Sequence, residues 1–410
     1  MARTVYLTCE LKSRDLDSRL LIACHLLKAG LDVVIGQQWS IFQNLASCPK
    51  GAVLFKTPNR IQSLAVRAAK AAGHMSIVMD EEAVVIVDAH AMRLSTDPDI
   101  FDLADTFLFQ NEQHRSFFAD EPGIIAGSAR VDIARTMRDI YRAEADAYRQ
   151  NGRYVLINTN YGLSNSIWGP PKQVLNQAAI AWNADLADPL TRAYFQGWTE
   201  AETQAFRGMQ KFISYLQPQL KTHRLIVRPH PAEKTAVWQK LKGLEIVQGS
   251  DPAPWILGAD ITVHTNSTTG LEAALLGCTC LNLNLTPTSA FSRTFATNSS
   301  AFQVSSVREA VDATLEVLSG KHPVANNNWV PSFPEHGAAR IATEIVSRAV
   351  DGPAITSWKK TPRAPIEQAK FDAKFDDVRN RLSVIGAHLD LPSAAGAVLD
   401  DSLFLFRRTG

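Results

Sequence analysis

The run His264-Thr-Asn-Ser-Thr-Thr-Gly-Leu-Glu-Ala273 carries the densest set of chemically useful side chains in the chain. An apolar strand ends at His264 and a helical pattern begins near Thr268. Ser267, Thr268 and Thr269 therefore converge with the free N–H groups of a helix's first turn. Hydroxyl and N–H donors at the positive end of a helix dipole suit a phosphate. Glu272, about one turn in, can face the same point and accept from ribose hydroxyls. The structural alternative is an ordinary Ser/Thr cap with Glu272 as its capping-box partner. A second segment, Val227-Arg-Pro-His-Pro-Ala-Glu233, follows a buried strand. Its two prolines fix the backbone around His230, with Pro231 beside it and Arg228 two residues before. A rigid loop presenting His and Arg suits a diphosphate or phosphodiester; the alternative is a proline-bounded turn with a surface histidine.

Two further groups are acidic. Met79-Asp-Glu-Glu-Ala83 puts three carboxylates after a hydrophobic strand. Such clusters repel, raising the pKa of at least one member toward the range for general acid or base work, unless they simply form a solvated helix start. Glu10 ends the first strand, with Lys12 and Arg14 in the loop that follows. Paired to a Lys or Arg, it can serve catalysis or hold the loop. Asn158-Thr-Asn-Tyr-Gly162 is a later strand end whose short polar side chains, Asn158 and Asn160, can contact substrate or form an Asx turn.

The elements that must position these residues alternate. Residues 4–9, 31–35, 52–55, 75–79, 106–109 and 123–126 read as strands, with helices at 61–72 and after residue 10, where Leu16, Leu20, Cys24 and Leu27 form one stripe. Such alternation means βαβ units and a parallel sheet. Residues 131–150 read as a polar helix, after which strands at 153–158, 224–227, 244–247, 260–264 and 278–283 form a second series. Two α/β domains are expected, 1–150 and 151–350, with a less regular segment 351–410. That segment holds an amphipathic helix at 371–389 and a late strand or docking tail at 402–406. Open α/β domains bind ligands at the carboxyl ends of their strands, which places the expected site in a cleft between the two.

Composition narrows the functional classes. Lys plus Arg total 42 against 41 Asp plus Glu, a net charge of +1, which speaks against a nucleic-acid binder. Hydrophobic residues at 46% and charged residues at 20% describe a compact globular chain. No apolar run approaches the roughly 18 residues of a membrane span, and MARTVYLTCELKSRD lacks the pattern of a signal peptide, so a cytoplasmic protein is expected. The five cysteines read as free thiols, and Cys278 and Cys280 as same-face residues of one strand. GxGxxG, GxxxxGK[ST], HExxH and paired CxxC are all missing, and Asp97-Pro-Asp99 reads as a turn, so neither a dinucleotide fold, a P-loop nor a metal site is expected.

Taken together these motifs resemble bacterial surface-carbohydrate biosynthesis proteins of GT-B fold. The likeness rests on ELKSRDLD (10–17) with VVIG (33–36), DEE (80–82), GSARVD (127–132), NTNYG, RPHP and STTGLEA, and runs over about residues 4–320. Ala83, Ser128 and Ala129 depart from the glycine, asparagine and proline usual in that family. The resemblance implies two Rossmann-like domains facing across a cleft, with the tail packing back on the first. It implies a metal-independent glycosyltransferase that moves Kdo (3-deoxy-D-manno-octulosonic acid) or a related acidic sugar from a CMP donor to a lipopolysaccharide or capsule acceptor. The CMP phosphate and ribose would fall on Arg228, His230, Pro231, Ser267, Thr268, Thr269 and Glu272. One of Glu10, Glu81 and Glu82 would act as base or nucleophile, with Lys12, Arg14, Asn158 and Asn160 on substrate. No cofactor is implied beyond the CMP-sugar substrate. The implied partners are that donor and a glycan or lipid-linked acceptor, with membrane contact, for instance through Trp358-Lys-Lys360, at the inner face of the inner membrane. The alternative on the same fold is a UDP-sugar 2-epimerase, which needs no acceptor.

Overall fold

The computed structural model describes residues 2–409 apart from 85, 87, 294–300, 321–331, 361, 363 and 392. The chain separates into two compact units: Met1–Val84 with Ser95–Ile140 and Ser332–Gly410, and Val85–Leu94 with Tyr141–Pro331.

In the first unit β1 (Ala2–Cys9), β2 (Asp32–Gln37), β3 (Ala52–Phe55), β4 (Met75–Met79), β5 (Thr106–Phe109) and β6 (Ile124–Ile125) pair in parallel. The second unit holds β7 (Tyr154–Asn158), β8 (Arg224–Arg228), β9 (Glu245–Ile246), β10 (Ile261–His264), β11 (Cys280–Leu283) and β12 (Phe302–Val304), again all parallel. The chain closes with β13 (Asp351–Gly352), β14 (Ala394–Asp400) and β15 (Leu403–Arg408), which return to the first sheet. β15 pairs antiparallel with β2, and β14 with β15.

The strand orders explain where ligands belong. The first sheet runs β14-β15-β2-β1-β3-β4-β5-β6, so the direction of winding reverses between β1 and β3. The second runs β12-β11-β10-β7-β8-β9 and reverses between β7 and β10. Open α/β sheets bind ligands outside the carboxyl ends of the strands at such switch points. In the first unit those ends lead into Glu10 and Lys56, and in the second they are Asn158 and His264.

The strands are continuous apolar runs because both faces are covered. Val155, Ile157, Val227, Val263, Leu281 and Leu283 pack on one face of the second sheet against Met209, Phe212, Ile213 and Trp238. In the first unit the helix Lys12–Lys28 buries Leu16, Leu20, Cys24 and Leu27 as its stripe predicts, and Leu21, Ile22, Ala23 and Leu26 besides. It is covered on several sides, packing against the helices Ala129–Thr136, Gly337–Arg348 and Phe375–Ala387.

Several expected elements differ in detail. The single polar helix at 131–150 is broken into Ala129–Thr136, a 3-10 turn Arg138–Tyr141 and Arg142–Gln150. Met137 and Tyr141 are both buried at the break, where one unit gives way to the other. The β14 strand was not anticipated: Ala394-Ala-Gly-Ala-Val398 has little strand propensity of its own and is held by pairing to the apolar β15. All five cysteines are free, and Cys278 precedes β11 instead of sharing its face with Cys280. Trp358 is half-buried against Tyr6 with ring centroids 6.2 Å apart, while Lys359 and Lys360 are exposed, Lys360 lying 4.0 Å from Asp401. Among the described residues no helix is long and apolar enough to cross a membrane.

Candidate functional site

The carboxyl edge of the second sheet carries a polar row. Register places Asn158 opposite both Arg228 and His264, His264 opposite Asn282, and Asn282 opposite Gln303. Strand alternation puts these side chains on the face away from the Val155–Val227–Val263 core. Arg228 is 8% exposed; it donates to the Ser250 carbonyl, and its Nε has no hydrogen-bond partner among the described residues. Burial pushes the guanidinium pKa down, and Asp251 and Glu272 offset this only in part. Asn158 is 1% exposed, and neither its oxygen nor its nitrogen has a partner among the described residues. A buried donor or acceptor without a partner is costly and calls for a water, an ion or a ligand.

His264 anchors the turn beside this row. Its Nδ1 accepts from the Ser267 N–H at 3.2 Å, which assigns the proton to Nε2. Burial pushes its pKa down to about 3, so the ring is neutral. Asn266 takes a left-handed φ of 46°, which asparagine tolerates, and its N–H donates to Asn282 Oδ1 at 3.0 Å. Ser267 caps the helix Thr268–Leu275: its hydroxyl accepts from the Thr269 N–H at 3.3 Å and the Thr269 hydroxyl at 2.9 Å. A Cβ on Gly270 would sit 2.3 Å from His264 Nε2, so only glycine lets the helix start directly over the imidazole. Thr268 is half-buried, as is Glu272, whose charge is felt by Arg228. The hydroxyl cap and the phosphate reading thus describe the same turn, in which Ser267 supplies the cap.

The RPHP loop is organised by Glu233, a residue to which sequence reasoning gave no role. Its buried carboxylate accepts from Thr159 Oγ1 at 2.6 Å, Tyr161 N at 3.0 Å, His230 N at 3.1 Å and Trp238 Nε1 at 3.1 Å. Burial raises its pKa against those donors. His230 Nδ1 accepts from Ala232 N at 3.2 Å, Pro231 is exposed, and Asn160 is half-buried on the neighbouring loop. Glu202, from the long helix Pro189–Leu216, pins that loop by accepting from Leu163 N and Ser164 N, both at 2.7 Å. Its spacing in a helix gave no signal; Glu233 had one, its place at the end of the proline segment. The structure therefore brings Arg228, His230, Asn158 and the Ser267–Glu272 turn to one sheet edge.

The carboxyl edge of the first sheet is an ionic network. Glu10 lies 2.7 Å from Lys56 Nζ, 2.8 Å from Lys370 Nζ and 3.5 Å from Arg14. Arg14 also meets Asp15 at 2.8 Å and Glu82 at 2.9 Å, and Arg19 meets Glu81 at 2.7 Å. Asp15 ties the entry to its own helix, accepting from the N–H groups of Glu10 and Leu11 at 2.7 and 3.0 Å. Lys56, with Arg14 and Lys370, holds the Glu10 carboxyl well below the usual range against its burial. Burial raises the Asp15 carboxyl, but Lys56, Arg14 and Arg19 pull it lower still. The expected repulsion within Asp80-Glu81-Glu82 is relieved by the arginines, and the proton affinity that rises is that of Asp80, up to about 7, through burial and the two glutamates. Lys12, half-buried, opens the helix beside this network.

No family model and no curated protein matches this chain. Solved structures do match in fold. The UDP-GlcNAc 2-epimerase of Methanocaldococcus jannaschii, solved with UDP-GlcNAc and UDP, is 11% identical, with a TM-score of 0.50 over 85% of this chain and 99% of that one. A Listeria monocytogenes structure assigned as a UDP-N-acetylglucosamine 2-epimerase is 10% identical, with a TM-score of 0.50 over 84% and 95%. At that identity the likeness speaks for fold alone. The expected fold class stands: two Rossmann-like α/β domains, the GT-B type.

Proposed function

We propose that the protein is a glycosyltransferase that takes Kdo or a related acidic sugar from a CMP donor and passes it to a surface-glycan acceptor. The observation that carries this reading is the second sheet's edge, where Arg228, Asn158 and the Ser267–Thr269 turn converge at a topological switch point. Arg228, the N-terminus of the helix Thr268–Leu275 and the hydroxyls of Thr268 and Thr269 neutralise the charge that builds on the leaving phosphate, so the reaction calls on no resident metal or other cofactor. Glu272 takes the ribose hydroxyls, and His230 with Pro231 borders the phosphate. The first unit's edge takes the acceptor. Of its three glutamates, Glu82 is the most exposed, at 42%, and is the base toward the acceptor hydroxyl. Glu81, 6% exposed, positions Arg19, and Glu10 is too firmly ion-paired to accept a proton readily.

Thermal shift with CMP, UDP, GDP and ADP at matched concentrations tests the donor, since a ligand of the folded state raises the melting point. Stabilisation by CMP is expected, with Glu82→Gln leaving that shift intact while lowering transfer by roughly a hundredfold or more. A second reading is favoured by two solved structures of similar fold, both assigned as UDP-GlcNAc 2-epimerases. A UDP-only shift, with interconversion of UDP-GlcNAc and its 2-epimer in the absence of acceptor, would replace the transferase reading with that one.

A further inference from the structure

One side chain of the returning stretch ends inside the first unit's ionic edge. Lys370, last residue of the helix Pro365–Lys370, reaches Oε1 of Glu10, a residue 360 positions away in sequence. Glu10 already has Lys56 at its other oxygen. With Arg19 and Glu81 paired to each other, residues 10–82 set Glu10, Asp15 and Glu82 against Arg14 and Lys56. Lys370 adds a third cation to the groups paired in this way.

The cations are held differently. The side chains of Arg19 and Lys56 are 0% and 3% exposed, locked beneath the cluster, whereas Lys370 and Glu10 are 23% and 25% exposed. A partly solvated lysine–carboxylate pair on a long flexible stem is weakly held. Exchanging Glu10 for another carboxylate would strand no charge, because Glu10 keeps Lys56. At the end of the neighbouring strand β2, opposite Cys9, Gln37 Nε2 is buried without a hydrogen-bond partner among the described residues. A ligand hydroxyl can satisfy it.

We infer that Lys370 is a substrate-binding cation: it rests on Glu10 and turns to the carboxylate of an acceptor glycan that itself ends in an acidic sugar. This rests on the reading that the first unit's edge takes the acceptor, and it names the acceptor's class. The full chain is titrated with free Kdo, galacturonate and galactose as probes, and separately with CMP. Wild type should bind the two acids in preference to galactose. Lys370→Ala should weaken acid binding by about tenfold and Lys370→Arg by no more than about threefold, with CMP binding unchanged in both. Glu10→Gln, which removes the resting partner, should tighten acid binding by about twofold to threefold. It keeps the test decisive if Lys370→Ala folds poorly. Equal acid binding by wild type and Lys370→Ala, or a wild type that does not distinguish galacturonate from galactose, overturns the assignment. If the acid pattern holds while CMP fails to bind, Lys370 stands and the CMP donor falls.

Discussion

The two carboxyl edges are built on the same topological principle and finished in opposite ways. At the first, Glu10, Asp15, Glu81 and Glu82 each meet an arginine or lysine. At the second, Arg228 Nε, both polar atoms of Asn158 and His264 Nε2 are buried with no hydrogen-bond partner among the described residues. Folding pairs the charges of the first edge with one another, although Gln37 Nε2, Gln110 Oε1, Arg19 Nη2 and Glu81 Oε2 there are also buried without a hydrogen-bond partner among the described residues. At the second, the buried Arg228 guanidinium and the Asn158 amide are left without such pairing, which favours a ligand that supplies it. The first edge should therefore matter to stability as well as to chemistry, and the second mainly to binding.

Removing one guanidinium from each edge is the strongest way to break this contrast. Arg19→Met would leave the buried Glu81 carboxylate uncompensated and should cost about 3–5 kcal/mol of unfolding free energy, read by urea titration. Arg228→Met removes a charge that no carboxylate hydrogen-bonds, so stability should stay within about 1 kcal/mol of wild type. The same variant should weaken CMP binding by roughly thirtyfold or more, about 2 kcal/mol, through loss of a charge-assisted contact. If Arg228→Met unfolds as readily as Arg19→Met, the second edge is structural after all and the contrast is lost.

A smaller effect sharpens the second edge itself. Gly270→Ala puts a methyl group against a fully buried imidazole that is pinned through Nδ1 and cannot swing away. It should cost about 1–3 kcal/mol as overpacking. Because the clash is with one ring, adding His264→Ala should recover part of that loss, a non-additivity that a double-mutant cycle measures. Simple additivity would mean that the helix start does not rest on His264.

Much of this was legible in the residues. The Ser267–Thr269 turn, the RPHP loop and the DEE cluster sit at strand ends because apolar runs stop there, and runs of that kind are read directly from sequence. The partners were not legible, because each comes from a distant element. Arg19 finds Glu81 across 62 positions, and Glu233 ties Thr159 and Trp238 into one knot. Asp80 was read only as a member of its cluster. Its proton affinity rises chiefly through burial and then through Glu82, and packing decides the burial. β14 was missed because a run of Ala and Gly has no strand signal until β15 lies beside it.

The last contrast concerns protons. Burial, with Glu82 and Glu81, lifts Asp80 to about 7, and burial lifts Glu202 in the second unit to about 7. An acid whose folded pKa lies above its unfolded value of about 4 binds its proton more tightly when folded. Its contribution to stability is complete below about pH 4 and fades as the pH climbs through 7. Melting points should therefore fall by a few degrees, on the order of 2–8 °C, between pH 5 and pH 8. Asp80→Asn should flatten the part of that slope due to the first unit, and Glu202→Gln the part due to the second. The acid limb should separate the units further. Glu10 and Asp15 are held below their unfolded values, so their stabilisation is present above about pH 4 and lost as the pH falls further. The first unit is thus squeezed from both sides, and its loss on acidification should shrink when Lys56→Met removes the ammonium that holds both carboxylates ionised. An acid limb unchanged in Lys56→Met would mean that the first edge is not held together by the charges that line it.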